Sequence, residues 1–346
     1  MKKIYTMLVV LAAVFAFAAC NKKTTDAKLN VVTTIFPEYD WVQRILGEQS
    51  EKANVTLLLD NGVDLHNYNP SVQDMTKLSS ADVFIYVGGE SDRWVEDALK
   101  TVRNKNIRTV NLLEALGDKA KEEETVEGME HEAHHEGDEH HGEEPEHEEH
   151  GHHYEGEEHH HHDDEEEETE YDEHVWLSLK NAEILCSAIC EALCAADTRN
   201  AQAYRENLAA YTAKLFALDA EYEAVIARAG QKTLLFGDRF PFRYLTDDYG
   251  LRYYAAFTGC SAETEASFKT VAFLSAKVDE LGLSAVCQIE SGDGKIAKTI
   301  IQNTKGKNAK ILTLNSMQSV TAKQIAEGAN YLRIMQENLA VIKEAL

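Results

Sequence analysis

Short apolar runs alternate with segments of helical period along most of the chain. Leu29–Phe36, reading LNVVTTIF, is β-rich. Pro37 and the three-residue spacing of Tyr39, Val42 and Ile45 then predict a helix. Val55–Leu59 is a second apolar run, Val72–Leu78 a helix, and Asp82–Gly88 (DVFIYVG) an unbroken apolar strand of the kind buried on both faces. Trp94–Leu99 reads as helix and Arg108–Leu112 as strand. Strands alternating with helices predict a parallel sheet in an α/β layer.

The same rhythm returns in the second half. Ser178–Ala195 reads as a helix, and a longer one spans about Thr198–Ala229. Its apolar positions, Tyr204, Leu208, Tyr211, Leu215, Leu218, Tyr222 and Val225, form a narrow stripe over roughly 45 Å. Such a stripe suits a dimeric coiled coil or an intramolecular spine, and the α/β pattern beyond it favours the spine. Strands follow at Thr233–Phe236, Leu251–Phe257, Ala285–Ile289 and Lys310–Leu314, with helices at Ser267–Leu281 and Lys295–Gln302 and a last helix from Thr321 to Leu346. The expected fold is α/β in two lobes, each a small, mostly parallel sheet flanked by helices, joined by one long rigid helix. The lobes fall at residues 29–196 and 230–346, with the linker helix at 197–229.

Residues 118–172 interrupt the pattern, because they have too few apolar side chains to build a core. They also carry the charge. Residues 121–173 hold 26 of the 60 acidic groups and one base, Lys121, leaving 34 acids and 33 bases elsewhere. The formal charge of −26 is therefore local, and no basic patch suits a nucleic acid. The first 20 residues read as a targeting segment: Lys2 and Lys3, a 16-residue largely apolar run, then Ala18-Ala19-Cys20. Small residues before Cys20 resemble a bacterial lipoprotein cleavage site with Cys20 lipidated, although Phe17 replaces the usual Leu; residues 21–28 would be a tether. A plain secretion signal is the alternative. Cys186, Cys190 and Cys194 share one helical face and read as a buried seam, while Cys260 and Cys287 could pair only if the fold brings them together.

Of the 15 histidines, 13 lie in the acidic tract: His131, His134, His135, His140, His141, His147, His150, His152, His153, His159, His160, His161 and His162. Imidazole and carboxylate are both metal ligands, so the tract reads as a set of weak, exposed metal sites. As flexible coil, its roughly 55 residues would span about 40 Å. It could collect metal ions and release them below about pH 6.5, where imidazole protonates. The other two histidines lie in distinct motifs, His66 in GVDLHNYNPSVQD and His174 in DEHVWLSL.

These two motifs, the strand ending YVGGESDRWVEDAL and the His-rich insertion together resemble the lipoprotein solute-binding components of ABC transporters for zinc and related metals. The resemblance covers about residues 29–346. It implies one metal ion in a cleft between two lobes, with His66 and His174 as N-lobe ligands. Many such proteins place His or Glu after the strand matching Thr233–Phe236, where this chain has Gly237 and Asp238, and its C-lobe has no histidine at all. The candidates there are Asp238 and Glu290, with Asp293, Asn315 and Gln318 behind them. Asp64 is the expected acceptor for a ring N–H of His66.

Two imidazoles with carboxylate oxygen suit Zn2+ and would also accept Mn2+ or Fe2+; the His-rich tract favours zinc. The expected function is an exported, lipid-anchored monomer on the outer side of a bacterial membrane that delivers a divalent metal to a membrane permease and is not an enzyme. A manganese or iron receptor and a metal-binding adhesin are alternatives. A zinc hydrolase is a weaker one, since the chain has neither HExxH nor GxSxG.

Overall fold

The computed structural model describes residues 28–130, 170–261 and 265–346. Cys20 and the 13 tract histidines lie outside the described residues. The N-lobe contains β1 (Leu29–Thr33), α1 (Phe36–Leu46), β2 (Ala53–Leu57), α2 (Val72–Ser79), β3 (Val83–Tyr86), α3 (Trp94–Thr101), β4 (Arg108–Asn111) and the short α4 (Leu112–Leu116). Its four strands are parallel in the order β2-β1-β3-β4. The central strands β1 and β3 are buried almost throughout, as an unbroken apolar run requires when helices cover both faces of a sheet.

Helices α5 (Leu179–Ala196) and α6 (Ala201–Ala227) lead to the C-lobe. This consists of β5 (Thr233–Phe240), α7 (Arg243–Tyr249), β6 (Arg252–Thr258), α8 (Phe268–Leu281), β7 (Ala285–Ile289), α9 (Lys295–Asn303) and β8 (Lys310–Leu314), closed by α10 (Ala322–Ala326) and α11 (Tyr331–Ala345). Its sheet, β6-β5-β7-β8, is parallel and repeats the N-lobe order. In such sheets, loops at the carboxyl ends of the strands gather ligands where the strand order reverses. Both sheets direct such loops towards the junction between the lobes.

Helix boundaries follow local chemistry. Pro37 stands at the start of α1, where its missing N–H costs nothing. Ser71, Ser178, Ser267, Thr321 and Asn330 each accept a backbone N–H two or three residues into the helix that follows, and each such cap contributes about 1 kcal/mol. The predicted final helix is two helices. Gly328, with φ of +97°, breaks it, and Asn330 caps the second piece.

The striped helix is an intramolecular spine: α6 packs on α5, α1, α7 and α11. Tyr204, Tyr211, Leu215, Leu218, Tyr222 and Ile226 are its buried face. Ile226 replaces the expected Val225 because a straight helix drifts away from a 3.5-residue repeat. The C-terminal helix α11 returns to the N-lobe. Tyr331 packs edge-on against Trp41 at 5.1 Å and donates its hydroxyl to the Trp176 carbonyl at 2.6 Å. Cys186, Cys190 and Cys194 are buried on α5 as a seam, and Cys260 and Cys287 are both free.

The acidic insertion is rooted in folded structure at both ends. Gly117–Lys119 form a 3-10 turn, and residues 120–130 run along the C-lobe. Lys121 N–H donates to Tyr244 Oη at 2.9 Å, Arg243 donates to the Glu122 carbonyl, and Glu130 N–H donates to the Ala256 carbonyl at 3.0 Å. Met129 is buried. The returning strand of chain pairs with the outgoing one, Glu123 N–H to Glu170 O and Asp172 N–H to Lys121 O, each at 2.8 Å. Residues 118–130 and 170–172, expected to lack structure, therefore belong to the folded body.

Candidate metal centre

His66 stands in a 3-10 turn, Leu65–Asn67, on the loop after β2. Buried Leu65 anchors the turn, and Asp64 caps it by accepting the His66 backbone N–H at 3.1 Å. His174 follows the insertion and is fully buried. Asp172 Oδ1 accepts both the backbone N–H and the ring Nδ1–H of His174, each at 2.9 Å. A carboxylate on Nδ1 assigns the tautomer and turns the Nε2 lone pair the other way. The Nδ1 of His66 lies 2.8 Å from Ser91 Oγ and 3.5 Å from Glu173 Oε2. The two Nε2 atoms then face each other at 3.2 Å.

Burial and the neighbouring His174 push the His66 imidazole down to about 3. The folded ring refuses a proton that an unfolded ring accepts near 6.5, so stability falls as pH drops from about 6.5 towards 3. A divalent metal requires the unprotonated ring, the form in which burial keeps His66.

Carboxylates buried behind this pair brace the N-lobe side. Glu173 Oε1 accepts Ser91 N–H at 2.8 Å, and burial raises its carboxyl. Asp92 accepts Gly88 N–H at 3.0 Å and is pushed up to about 7, by burial and then by Glu173. Glu38 accepts Thr34 N–H at 2.8 Å and Ile35 N–H at 3.2 Å, and burial followed by Asp92 pushes it up to about 8.

The C-lobe meets the pair with other groups. Gln318 Nε2 lies 3.0 Å from His174 Nε2, and its Oε1 accepts the Ser316 hydroxyl at 3.1 Å. Buried Met317 beside it holds φ at +63°, a conformation uncommon outside glycine. Cys260, two residues beyond β6, brings its Sγ within 4.8 Å of a ring nitrogen of each histidine, and among the described residues these three form the one cluster of metal-ligating side chains. Burial, then Asp172, Glu123 and Glu173, push its thiol up. Arg239 donates to Asp64 Oδ2 across the lobes at 2.6 Å and to the Ser261 carbonyl at 3.2 Å. Burial raises the Asp64 carboxyl, but Arg239 and His66 outweigh it and hold the group below its usual value. A cavity of about 380 Å3 opens beside this ion pair, lined in part by Asn67, Glu265 and Lys295.

Asp238 and Glu290, the expected C-lobe ligands, stand elsewhere. The prediction placed Asp238 just past a strand ending at Phe236, but β5 continues to Phe240 after a register shift. Asp238 therefore sits within the strand and accepts N–H groups from Arg239 at 2.8 Å and Ile289 at 3.2 Å. Gly237 gives way to α9: a Cβ there would fall 2.5 Å from Ala297 Cα. Glu290 accepts Ser316 N–H at 2.7 Å, Ser316 Oγ at 2.9 Å and Ser319 Oγ at 3.1 Å, so it holds the loop that carries Gln318. Asp293 accepts Lys295 N–H, and Asn315 pairs with Asn338. Asp64 holds the backbone of His66 rather than its ring, a role that falls to Ser91. The sequence reading missed Cys260 as a site residue, although its place after the predicted strand Leu251–Phe257 satisfies the rule applied to the other candidates.

No helix among the described residues is long and apolar enough to cross a membrane. The family model described as zinc-uptake complex component A, periplasmic, matches residues 31–345. The zinc-binding lipoprotein AdcA of Streptococcus pneumoniae is 33% identical over 99% of this chain, which spans 61% of that relative's length. The high-affinity zinc uptake system protein ZnuA of Bacillus subtilis is 28% identical over 100% of this chain and 99% of its own. Among solved structures, the Zn(II)-bound ZnuA-like domain of S. pneumoniae AdcA aligns with a TM-score of 0.65 at 27% identity, covering 92% of this chain and 98% of that one. The metal-dependent lipoprotein YcdH of B. subtilis aligns with a TM-score of 0.68 at 25% identity, covering 92% and 100%. With its two parallel sheets and the facing imidazoles between them, this chain belongs to the family of the zinc-uptake complex component A.

Proposed function

We propose that this protein binds one Zn2+ ion between its lobes, outside the cytoplasmic membrane, and delivers it to the membrane permease of an ABC transporter. The observation that carries the reading is the approach of His66 Nε2 to His174 Nε2 at 3.2 Å, with each Nδ1 already engaged by an oxygen of the N-lobe. That arrangement leaves two lone pairs aimed at one point, which suits Zn2+ at about 2.0–2.1 Å from each nitrogen. Relatives named for zinc binding and zinc uptake support the choice of metal. Residues 1–20 act as a lipoprotein signal, Cys20 carries the lipid, and the protein works as a monomer with no catalytic step. The tract histidines gather zinc at weaker sites.

Isothermal titration of the full chain with Zn2+ tests the reading. One tight site and several weak ones are expected, and replacing both His66 and His174 by alanine removes the tight site alone. Tight stoichiometric binding in that double variant would end the proposal.

A further inference from the structure

The chain of the C-lobe comes unusually close to His174 at one point. A Cβ on Gly259 would lie 2.8 Å from His174 Cε1, 3.0 Å from its Nδ1 and 3.0 Å from the Phe240 carbonyl. Only glycine lets the turn after β6 approach the imidazole this closely. The next residue is Cys260. Its backbone N–H is directed to Glu123 Oε1 at 3.4 Å, and its Sγ lies within 4.8 Å of a ring nitrogen of both histidines. Gly259 and Glu123 therefore hold the thiol beside the two imidazoles.

We infer that Cys260 is the C-lobe ligand of the metal, so that the ion is held by two imidazoles and one thiolate. This rests on the reading of His66 and His174 given above. As the Zn–S bond forms, the thiol gives its proton to solvent, and the sulfur moves to about 2.3 Å from the ion. Three protein ligands suit a tetrahedral ion with one further position. Beside it stands the Gln318 amide, whose Oε1 accepts the Ser316 hydroxyl. A thiolate also sets the preference among ions. Soft sulfur favours zinc and disfavours manganese, which prefers oxygen. The absence of histidine from the C-lobe is then a change in the kind of ligand, with a softer atom on that side of the cleft.

Co2+ added below one equivalent to the full chain provides the test. The unaltered protein should show near-ultraviolet thiolate-to-cobalt charge transfer together with the visible bands of a four-coordinate ion. Cys260→Ser should lose the charge-transfer band and keep visible bands. Its Zn2+ affinity should fall by at least the roughly 10- to 100-fold that loss of an outer-shell partner costs, and its preference for Zn2+ over Mn2+ should fall with it. The other free cysteines described, Cys186, Cys190, Cys194 and Cys287, are buried in the core, so a band lost in this variant belongs to Cys260. Visible bands without charge transfer in the unaltered protein, with unchanged Zn2+ affinity in Cys260→Ser, would overturn the thiolate and leave the histidine pair standing. Cobalt spectra unaffected by replacing both His66 and His174 would sink the reading of the pair and this inference with it.

Discussion

In the N-lobe, the loop after β2 and the segment before α5 bring His66 and His174 together, and Ser91 and Asp172 engage the Nδ1 of each ring so that the two Nε2 atoms face each other. In the C-lobe, a sheet with the same strand order carries Cys260, Arg239 and Gln318 at the junction. There the carboxylates of Asp238 and Glu290 are engaged in tying backbone to backbone. One topology thus supports two kinds of strand-end chemistry. The N-lobe side is a pair of facing imidazoles, while the C-lobe side is a set of loops that meet that pair. With two of the three proposed ligands, most of the binding strength should accordingly lie in the N-lobe, and discrimination and closure in the C-lobe.

The largest test of that division is loss of the donors themselves. Spread over four ligands, the roughly 10–16 kcal/mol of a complete zinc site amounts to about 3 kcal/mol each. His66→Ala and His174→Ala should each weaken Zn2+ binding by roughly 10²-fold, measured by competition with a chelator. Glu290→Gln, which keeps an oxygen for Ser316, should weaken it far less. A loss in Glu290→Gln comparable to that of either histidine variant would break the comparison.

A pH titration of stability comes next. The folded Glu38 carboxyl keeps its proton up to about 8, whereas an unfolded glutamate loses it near 4.5. Between those values the folded state holds more protons, so stability is full below about pH 4.5 and declines as pH rises towards 8. At 1.36 kcal/mol per unit the decline amounts to a few kcal/mol. Glu38→Gln should remove much of it, because Gln retains the oxygen that accepts Thr34 and Ile35 N–H. Denaturant midpoints from pH 5 to pH 8 measure this, and an equal slope in the variant would mean that Glu38 is ionised in the fold.

The orientation of His174 is a smaller effect on the same side. Asp172→Asn keeps a carbonyl oxygen for the ring N–H but loses the charge, and should cost about 10- to 100-fold in Zn2+ affinity. The fold should be unaffected, as read by thermal melting without metal.

Much of this organisation was legible in the residues. Unbroken runs such as DVFIYVG give the parallel strands, and the spine follows from the Tyr204–Tyr222 stripe, because burial on one face leaves a periodic trace in the sequence. His66 and His174 stood out by isolation from the tract and by motif. The C-lobe side of the junction was not legible for two reasons. The extent of β5 depends on pairing with β6 on one side and β7 on the other, and four residues of difference moved Asp238 from a strand end to a strand interior. Cys260 offered no spacing motif, since its partners lie 194 and 86 residues away along the chain and only the close approach at Gly259 joins them. Likewise, the docking of residues 120–130 rests on main-chain hydrogen bonds to β6 and α7, which side-chain composition does not register.

Arg239 offers the finest test of the contrast, because it is a C-lobe side chain that touches the N-lobe without facing a histidine nitrogen. Its guanidinium bridges Asp64 Oδ2 and the Ser261 carbonyl, and so ties the capped turn of His66 to the turn that carries Cys260. Both partners of the ion pair are about 13% exposed, so solvent screens part of the attraction. Arg239→Gln should therefore cost about 2 kcal/mol of stability, between the values for exposed and buried pairs. If the C-lobe governs closure, the variant should release Zn2+ several times faster while its association rate hardly changes, as stopped-flow transfer to a chelator would report. An unchanged release rate would place closure in the spine and α11 instead, and the Arg239–Asp64 pair would then hold the turn of His66 and nothing more.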